Sequence, residues 1–148
     1  MTNPSPPTSP FNDISIQDIP KVLPLLSQPE QEKLLAELEH LAKLKKQKKA
    51  QTRFIDFVKQ MWPTFISGKH HAIMAEAFER VASGENKRLI INMPPRHTKS
   101  EFASYLLPAW FLGQYPHKKV IQTSHTAELA VGFGRKVRNL VDQDGYKD

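Results

Sequence analysis

The chain has 148 residues, enough to bury one sizeable core, and 21 Lys plus Arg against 15 Asp plus Glu leave a net charge of +6. That balance favours a polyanionic partner, and the lack of cysteine excludes disulfides and thiolate metal sites. No apolar run reaches the roughly 18 residues that cross a bilayer, and the N-terminus has neither the basic start nor the apolar stretch of a secretion signal, so a soluble intracellular protein without a membrane partner is expected.

Residues 1–26 are expected to be disordered or irregular. Pro4, Pro6, Pro7 and Pro10 stand among Ser, Thr and Asn, removing amide donors where there is almost nothing to bury. Pro20 and Pro24 then limit the next stretch to short turns. A helical lead-in follows over 27–84. Ser27, Pro29 and Glu30 form a helix start with capping-box spacing, and Leu34, Leu35, Leu38, Leu41 and Leu44 make an apolar stripe. The helix ends in a basic run, Lys43, Lys45, Lys46, Lys48, Lys49 and Arg53. The run is either a solvated face that suits the helix dipole or a contact for DNA phosphates; no aromatic side chain is interleaved to stack bases.

Phe54, Phe57, Val58, Met61 and Trp62 fall at i, i+3, i+4, i+7 and i+8, which predicts an amphipathic helix ended by Pro63. A third helix is expected from Lys69 to Ser83, with Ile73, Met74, Ala77, Phe78 and Val81 inward and Gly84 as its stop. His70 and His71 are adjacent, so they point about 100° apart on a helix and do not form an i, i+4 metal pair.

From residue 85 the pattern changes. Lys87 to Met93 reads as a short buried strand, Pro94 to Thr98 as a stiff turn, and Lys99-Ser100 as the start of a helix running to Gly113. Strand, turn and helix in that order meet the physical needs of a phosphate-binding loop: backbone N–H groups turn inward and the helix aims its positive end at the anion. Lys99 would reach the β- and γ-phosphates of ATP, and the Ser100 hydroxyl would bind Mg²⁺; the alternative is an ordinary strand–turn–helix with a surface Lys-Ser. Aligned on Lys-Ser, Met93 and Thr98 occupy the usual glycine positions of that motif. Pro108 is expected to kink or break the helix. A second strand is predicted at Lys119 to Ser124, then a helix from Ala127 to about Asp142, capped by Thr126 or Ser124, with Leu129, Ala130, Phe133, Val137, Leu140 and Val141 inward. Such a βαβα order predicts an α/β, three-layer arrangement with right-handed crossovers.

The stretch Met93-Pro94-Pro95-Arg96-His97-Thr98-Lys99-Ser100-Glu101 resembles the variant Walker A loop of large terminase subunits, the ATPases that pump DNA into tailed-phage capsids. In that family the loop commonly runs Pro-Pro-Arg-His-Gly-Lys-Ser, so Thr98 departs at the glycine. The likeness covers about residues 54 to 142 and continues through Thr123-Ser124-His125.

The resemblance implies that Pro95, Arg96, His97, Thr98, Lys99 and Ser100 surround the phosphates, with Arg96 as an arginine finger or phosphate sensor; apart from the resemblance, Arg96 reads as a surface arginine beside a proline turn. It also implies that residues before the first strand help hold the adenine. His71 is a candidate for that role, the alternative being a surface or capping histidine. Thr123, Ser124 and His125 would lie near the nucleotide and DNA path, and Arg135, Lys136 and Arg138 would face DNA or water. The implied cofactors are ATP and Mg²⁺. The implied partners are double-stranded DNA, a small terminase subunit and a portal ring, in the host-cell cytoplasm and transiently at the procapsid portal.

Parts of such a motor are missing. The late acids are Asp142, Asp144 and Asp148, with no apolar strand before them to carry a Walker B pair, and no nuclease carboxylate cluster follows. Residues 85–148 are therefore expected to be a truncated, partial P-loop domain that binds nucleotide weakly and lacks turnover. A helicase-like ATPase fragment and a non-catalytic basic DNA-binding module are the alternatives.

Overall fold

The computed structural model describes residues 19–147, and every regular element among them is helical. The irregular tail expected over 1–18 lies outside the described residues. The chain divides into two compact units, Met1–Leu44 and Lys45–Asp148, with the division inside one long helix.

In the first unit, a single helical turn, α1 (Ile19–Val22), leads into a 3-10 turn at Leu23–Leu25. The long helix α2 (Gln28–Thr52) follows. Glu30 accepts hydrogen bonds from the Ser27 hydroxyl at 2.6 Å and the Ser27 N–H at 2.9 Å. Those two bonds, the hydroxyl's first, hold the Glu30 carboxyl below its usual range. The Gln31 amide donates to the Leu23 and Leu26 carbonyls and ties the preceding turn to the helix. Along the leucine stripe Leu34 is buried, whereas Leu35, Leu41 and Leu44 remain about half exposed.

The second unit is built around Phe54. This residue opens α3 (Phe54–Met61), is fully buried, and meets Phe78, Phe102 and Trp110 edge-on at centroid distances of 5.3, 5.5 and 5.5 Å. Its N–H donates to Glu79 at 2.8 Å, so a carboxylate on α4 (Lys69–Ala82) caps the positive end of α3. Phe102 and Trp110 lie on a helical stretch beginning at 99, made of a wide π-helical segment (Glu101–Leu106) and α5 (Leu107–Gln114). Pro108 shapes this stretch without breaking it. Proline has no N–H to return to the turn before it, and the Ser104 carbonyl four residues back is satisfied instead by the Gln122 side chain at 2.7 Å. The Leu107 N–H reaches Phe102 O, the i to i−5 step of a π-turn. α6 (Ala127–Val141) is capped by Thr126, whose hydroxyl accepts from the Leu129 N–H at 3.3 Å. Of its expected inward face only Leu140 is fully buried; Val137 and Val141 pack partly, and Leu129 is exposed. α7 (Asp144–Lys147) sets Tyr146 against Phe57 and lets its hydroxyl donate to the Ala109 carbonyl at 2.7 Å.

The expected α/β sandwich is not formed. Among the described residues there is no strand, and the unit is all-helical. Residues 88–94 and 119–125 are non-helical, and no backbone pairing links them. The residues keep some strand character at the level of the side chains: Ile91 and Met93 turn onto the core, while Asn92 between them is exposed and Ile90 just before them is 86% exposed. Ile121 is 90% exposed. Strand-like sequence reflects fit to a pleated, half-buried surface, which a neighbouring strand must supply, and two short strands alone form only a marginal sheet. Here helices supply the covering surface on one side only.

Candidate phosphate-binding turn

Pro94 and Pro95 carry the chain away from the core with fixed φ angles and no amide donors. The turn then takes two unusual steps, Arg96 at φ 63° and Thr98 at φ 58°. A left-handed residue other than glycine costs about 1–2 kcal/mol, and a β-branched residue tolerates that region least. Thr98 stands where the commoner form of the motif has glycine, and it adopts a backbone angle that glycine would take freely.

Lys99 begins the helix, and its ammonium folds back to donate to the Met93 carbonyl at 2.9 Å. This bond closes residues 93–99 into a ring over the helix N-terminus. The first-turn N–H groups there have no intrahelical acceptor, and the helix dipole adds partial positive charge. Ser100 is exposed in that first turn, as are Pro95, Arg96 and His97 on the rim. The His97 Nδ1–H donates to the Pro95 carbonyl at 2.9 Å, bracing the turn.

Behind the turn sits His71, in the first turn of α4 and only 6% exposed. The Gly68 N–H donates to its Nδ1 at 2.9 Å, and its Nε2 lies 2.6 Å from the Thr98 hydroxyl oxygen. The Thr98 hydroxyl in turn donates to the His97 carbonyl at 2.7 Å. Phe65 and Phe102 enclose the imidazole at centroid distances of 4.8 and 5.0 Å. Burial first, then the nearby His70 and His97, holds the His71 imidazole below its ordinary value of 6.5. The sequence leaves His71 open as an adenine contact or as a surface or capping residue; in the structure it is buried, and both ring nitrogens are engaged by protein partners. The Gly68–His71 spacing, an N-cap and the third helical residue after it, is the signal in the sequence that points to this contact.

The candidate DNA-facing residues are placed as follows. Lys45, Lys46, Lys48 and Lys49 are all exposed along the end of α2. Arg135 and Arg138 are exposed on α6, whereas Lys136 pairs with Glu101 at 2.9 Å and lies over the Phe133 and Tyr105 rings. Lys136 thereby ties α6 to the helix that follows the turn. Thr123, Ser124 and His125 stay exposed ahead of α6. Among the described residues no group of three or more His, Asp or Glu side chains is placed to hold a metal ion.

The residues of the turn suit a nucleoside triphosphate with its magnesium. They offer unfilled first-turn N–H groups, a lysine already at the loop and an exposed serine hydroxyl at the helix start. No helix among the described residues is long and apolar enough to cross a membrane. The chain matches no protein-family model, no curated protein and no solved structure.

Proposed function

We propose that this chain is part of a DNA-packaging ATPase of the large-terminase type, with residues 94–100 as its phosphate-binding turn. The observation that supports this best is the closure of the turn by Lys99 onto Met93 O, with Thr98 left-handed and the helix N-terminus directly beneath. Lys99 would exchange the Met93 carbonyl for phosphate oxygens. The N–H groups at the helix start would hold the β-phosphate, and Ser100 would meet the magnesium that arrives with the nucleotide. Arg96, exposed on the rim, is the cation available to the γ-phosphate.

Binding and turnover are separate in this reading. Hydrolysis also requires a carboxylate to hold the metal and another group to orient water, and the sequence places neither on an apolar strand beyond the turn. In this reading the chain binds Mg²⁺–ATP weakly and does not turn it over. Double-stranded DNA is the proposed polymer partner, met by the exposed lysines 45, 46, 48 and 49. A small terminase subunit and a portal ring belong to the same proposal.

Calorimetric titration with Mg²⁺–ATP, beside Lys99→Ala, tests it. Binding by the native chain that the variant loses is expected, with no release of phosphate by either. Equal binding by both proteins, or hydrolysis that Lys99→Ala abolishes, would count against the proposal as stated.

A further inference from the structure

The least expected feature of the turn is that a threonine holds the left-handed position, and the structure contains a device for keeping it there. Three hydrogen bonds run in series: Gly68 N–H to His71 Nδ1 at 2.9 Å, His71 Nε2 to Thr98 Oγ1 at 2.6 Å, and Thr98 Oγ1 to the His97 carbonyl at 2.7 Å. Their directions are fixed from the two ends. A backbone N–H can only donate, so His71 Nδ1 is an acceptor. A carbonyl can only accept, so the Thr98 hydroxyl gives its proton to His97 O and offers a lone pair to the ring. The proton on neutral His71 must then sit on Nε2, pointing at Thr98.

We propose that His71, as the Nε2–H tautomer, is the positioning residue that latches Thr98 into its left-handed conformation and so keeps the phosphate-binding turn in its binding shape. The proposal rests on the reading of residues 94–100 as a phosphate-binding turn. It assigns His71 no contact with nucleotide. The residue acts through Thr98, and its site on α4 makes that helix a support for the turn.

Two consequences distinguish a latch from an ordinary buried histidine. First, the requirement belongs to threonine alone. Glycine takes a positive φ at no steric cost, so Thr98→Gly makes His71 dispensable for binding. Second, protonation unfastens the ring from its anchor on Gly68, although Nε2–H remains a donor to Thr98. An imidazolium carries a proton on Nδ1 and turns a hydrogen to face the Gly68 N–H, breaking the first bond of the series. The titratable groups around His71 are His70 on its own helix and His97 from the turn; the segment before α4 and the helix after the turn present Phe65 and Phe102. The environment therefore favours the neutral form, and the anchor of the ring on Gly68 is lost only when acid protonates Nδ1.

The experiment uses the full chain and four proteins: native, His71→Asn, Thr98→Gly and the double variant. Asparagine keeps an acceptor close to the backbone for the Gly68 N–H while losing the reach to Thr98, so the helix start is retained. With Mg²⁺–ATP as the probe, His71→Asn is expected to weaken binding about tenfold, the equivalent of one left-handed residue's conformational cost. In the Thr98→Gly background the same substitution is expected to change affinity less than about twofold. The loss of affinity between pH 7.5 and 5.5 should likewise be steeper in the native chain than in Thr98→Gly.

Nitrogen-15 NMR of the nucleotide-free chain supplies a readout that survives failure of the nucleotide reading. The latch requires a protonated Nε2 and an unprotonated Nδ1 on His71 at neutral pH, and Thr98 carbon shifts that move toward ordinary values in His71→Asn. A protonated Nδ1, Thr98 shifts unmoved by His71→Asn, or equal loss of affinity in the threonine and glycine backgrounds would overturn it. Absence of ATP binding in all four proteins would reject the nucleotide reading, and the NMR measurements would still decide the latch.

Discussion

The Lys99 ammonium and the Met93 carbonyl meet at 2.9 Å across the five residues of the turn between them. That single bond joins the last core-facing residue before the turn to the first residue of the helix after it. It places a cation at a helix N-terminus with no carboxylate partner among the described residues, an arrangement suited to an incoming anion. Lys99→Met should leave the core intact and shift the unfolding midpoint little, since a part-buried hydrogen bond of this kind contributes only about 1 kcal/mol. Denaturant unfolding of the variant beside the native chain checks this.

The core of the second unit converges on Phe54, which makes ring contacts with Phe78, Phe102 and Trp110. Phe54→Ala should destabilise the unit by about 3–5 kcal/mol, the usual cost of emptying a fully buried aromatic site. Chemical denaturation followed by tryptophan fluorescence would register it, because Trp110 borders the cavity. A cost no larger than that of an exposed substitution would place the core elsewhere.

Gln122 and Pro108 form a compensating pair. Removing the side-chain amide with Gln122→Leu leaves the Ser104 carbonyl unsatisfied, at an expected cost of about 1–3 kcal/mol. Pro108→Ala returns an N–H to the helix, so the same Gln122 substitution should cost less in that background. A double-mutant cycle measured by thermal unfolding reads the difference.

Gly113 is needed where α5 meets α7. A Cβ there would lie 2.8 Å from the Tyr146 hydroxyl oxygen, so Gly113→Ala should displace the ring and break its bond to Ala109 O. Tyr146→Phe removes that bond without the clash and should cost only about 1 kcal/mol. Burial pushes the Tyr146 phenol above its usual value, so spectrophotometric titration should show it ionising later than a free tyrosine, a delay that Gly113→Ala removes.

These relationships mark how much was legible in the sequence. The helices around Phe54, Phe78 and Leu140, the Ser27–Glu30 start and the Thr126 cap are local properties and appear where the sequence predicts them, although Ile73 and Leu129, expected to face inward, are exposed. Leu89-Ile90-Ile91 and Val120-Ile121 also carry a local strand preference, yet a sheet is a non-local object requiring partner backbones. Neither stretch meets one among the described residues, and Ile90 and Ile121 are left facing outward. The turn itself was readable as Lys-Ser at a helix start. Its support from His71 was not, because residues 27 apart met through a fold that the strand pattern misdirected.

The basic run yields a prediction of its own. Binding of the chain to double-stranded DNA should weaken steeply with salt, and replacing Lys45, Lys46, Lys48 and Lys49 by Gln should flatten the log–log slope by about 0.9 for each phosphate no longer neutralised. Filter binding at several salt concentrations measures it. An unchanged slope would assign those lysines to solvent.

The most direct measurement is a backbone amide NMR titration with Mg²⁺–ATP, repeated with Mg²⁺ alone. The largest nucleotide-dependent shifts are expected on the amides of Thr98, Lys99, Ser100 and Glu101, and they should vanish in Lys99→Ala. Shifts confined to the lysines at the end of α2, or none at all, would contradict a phosphate-binding turn.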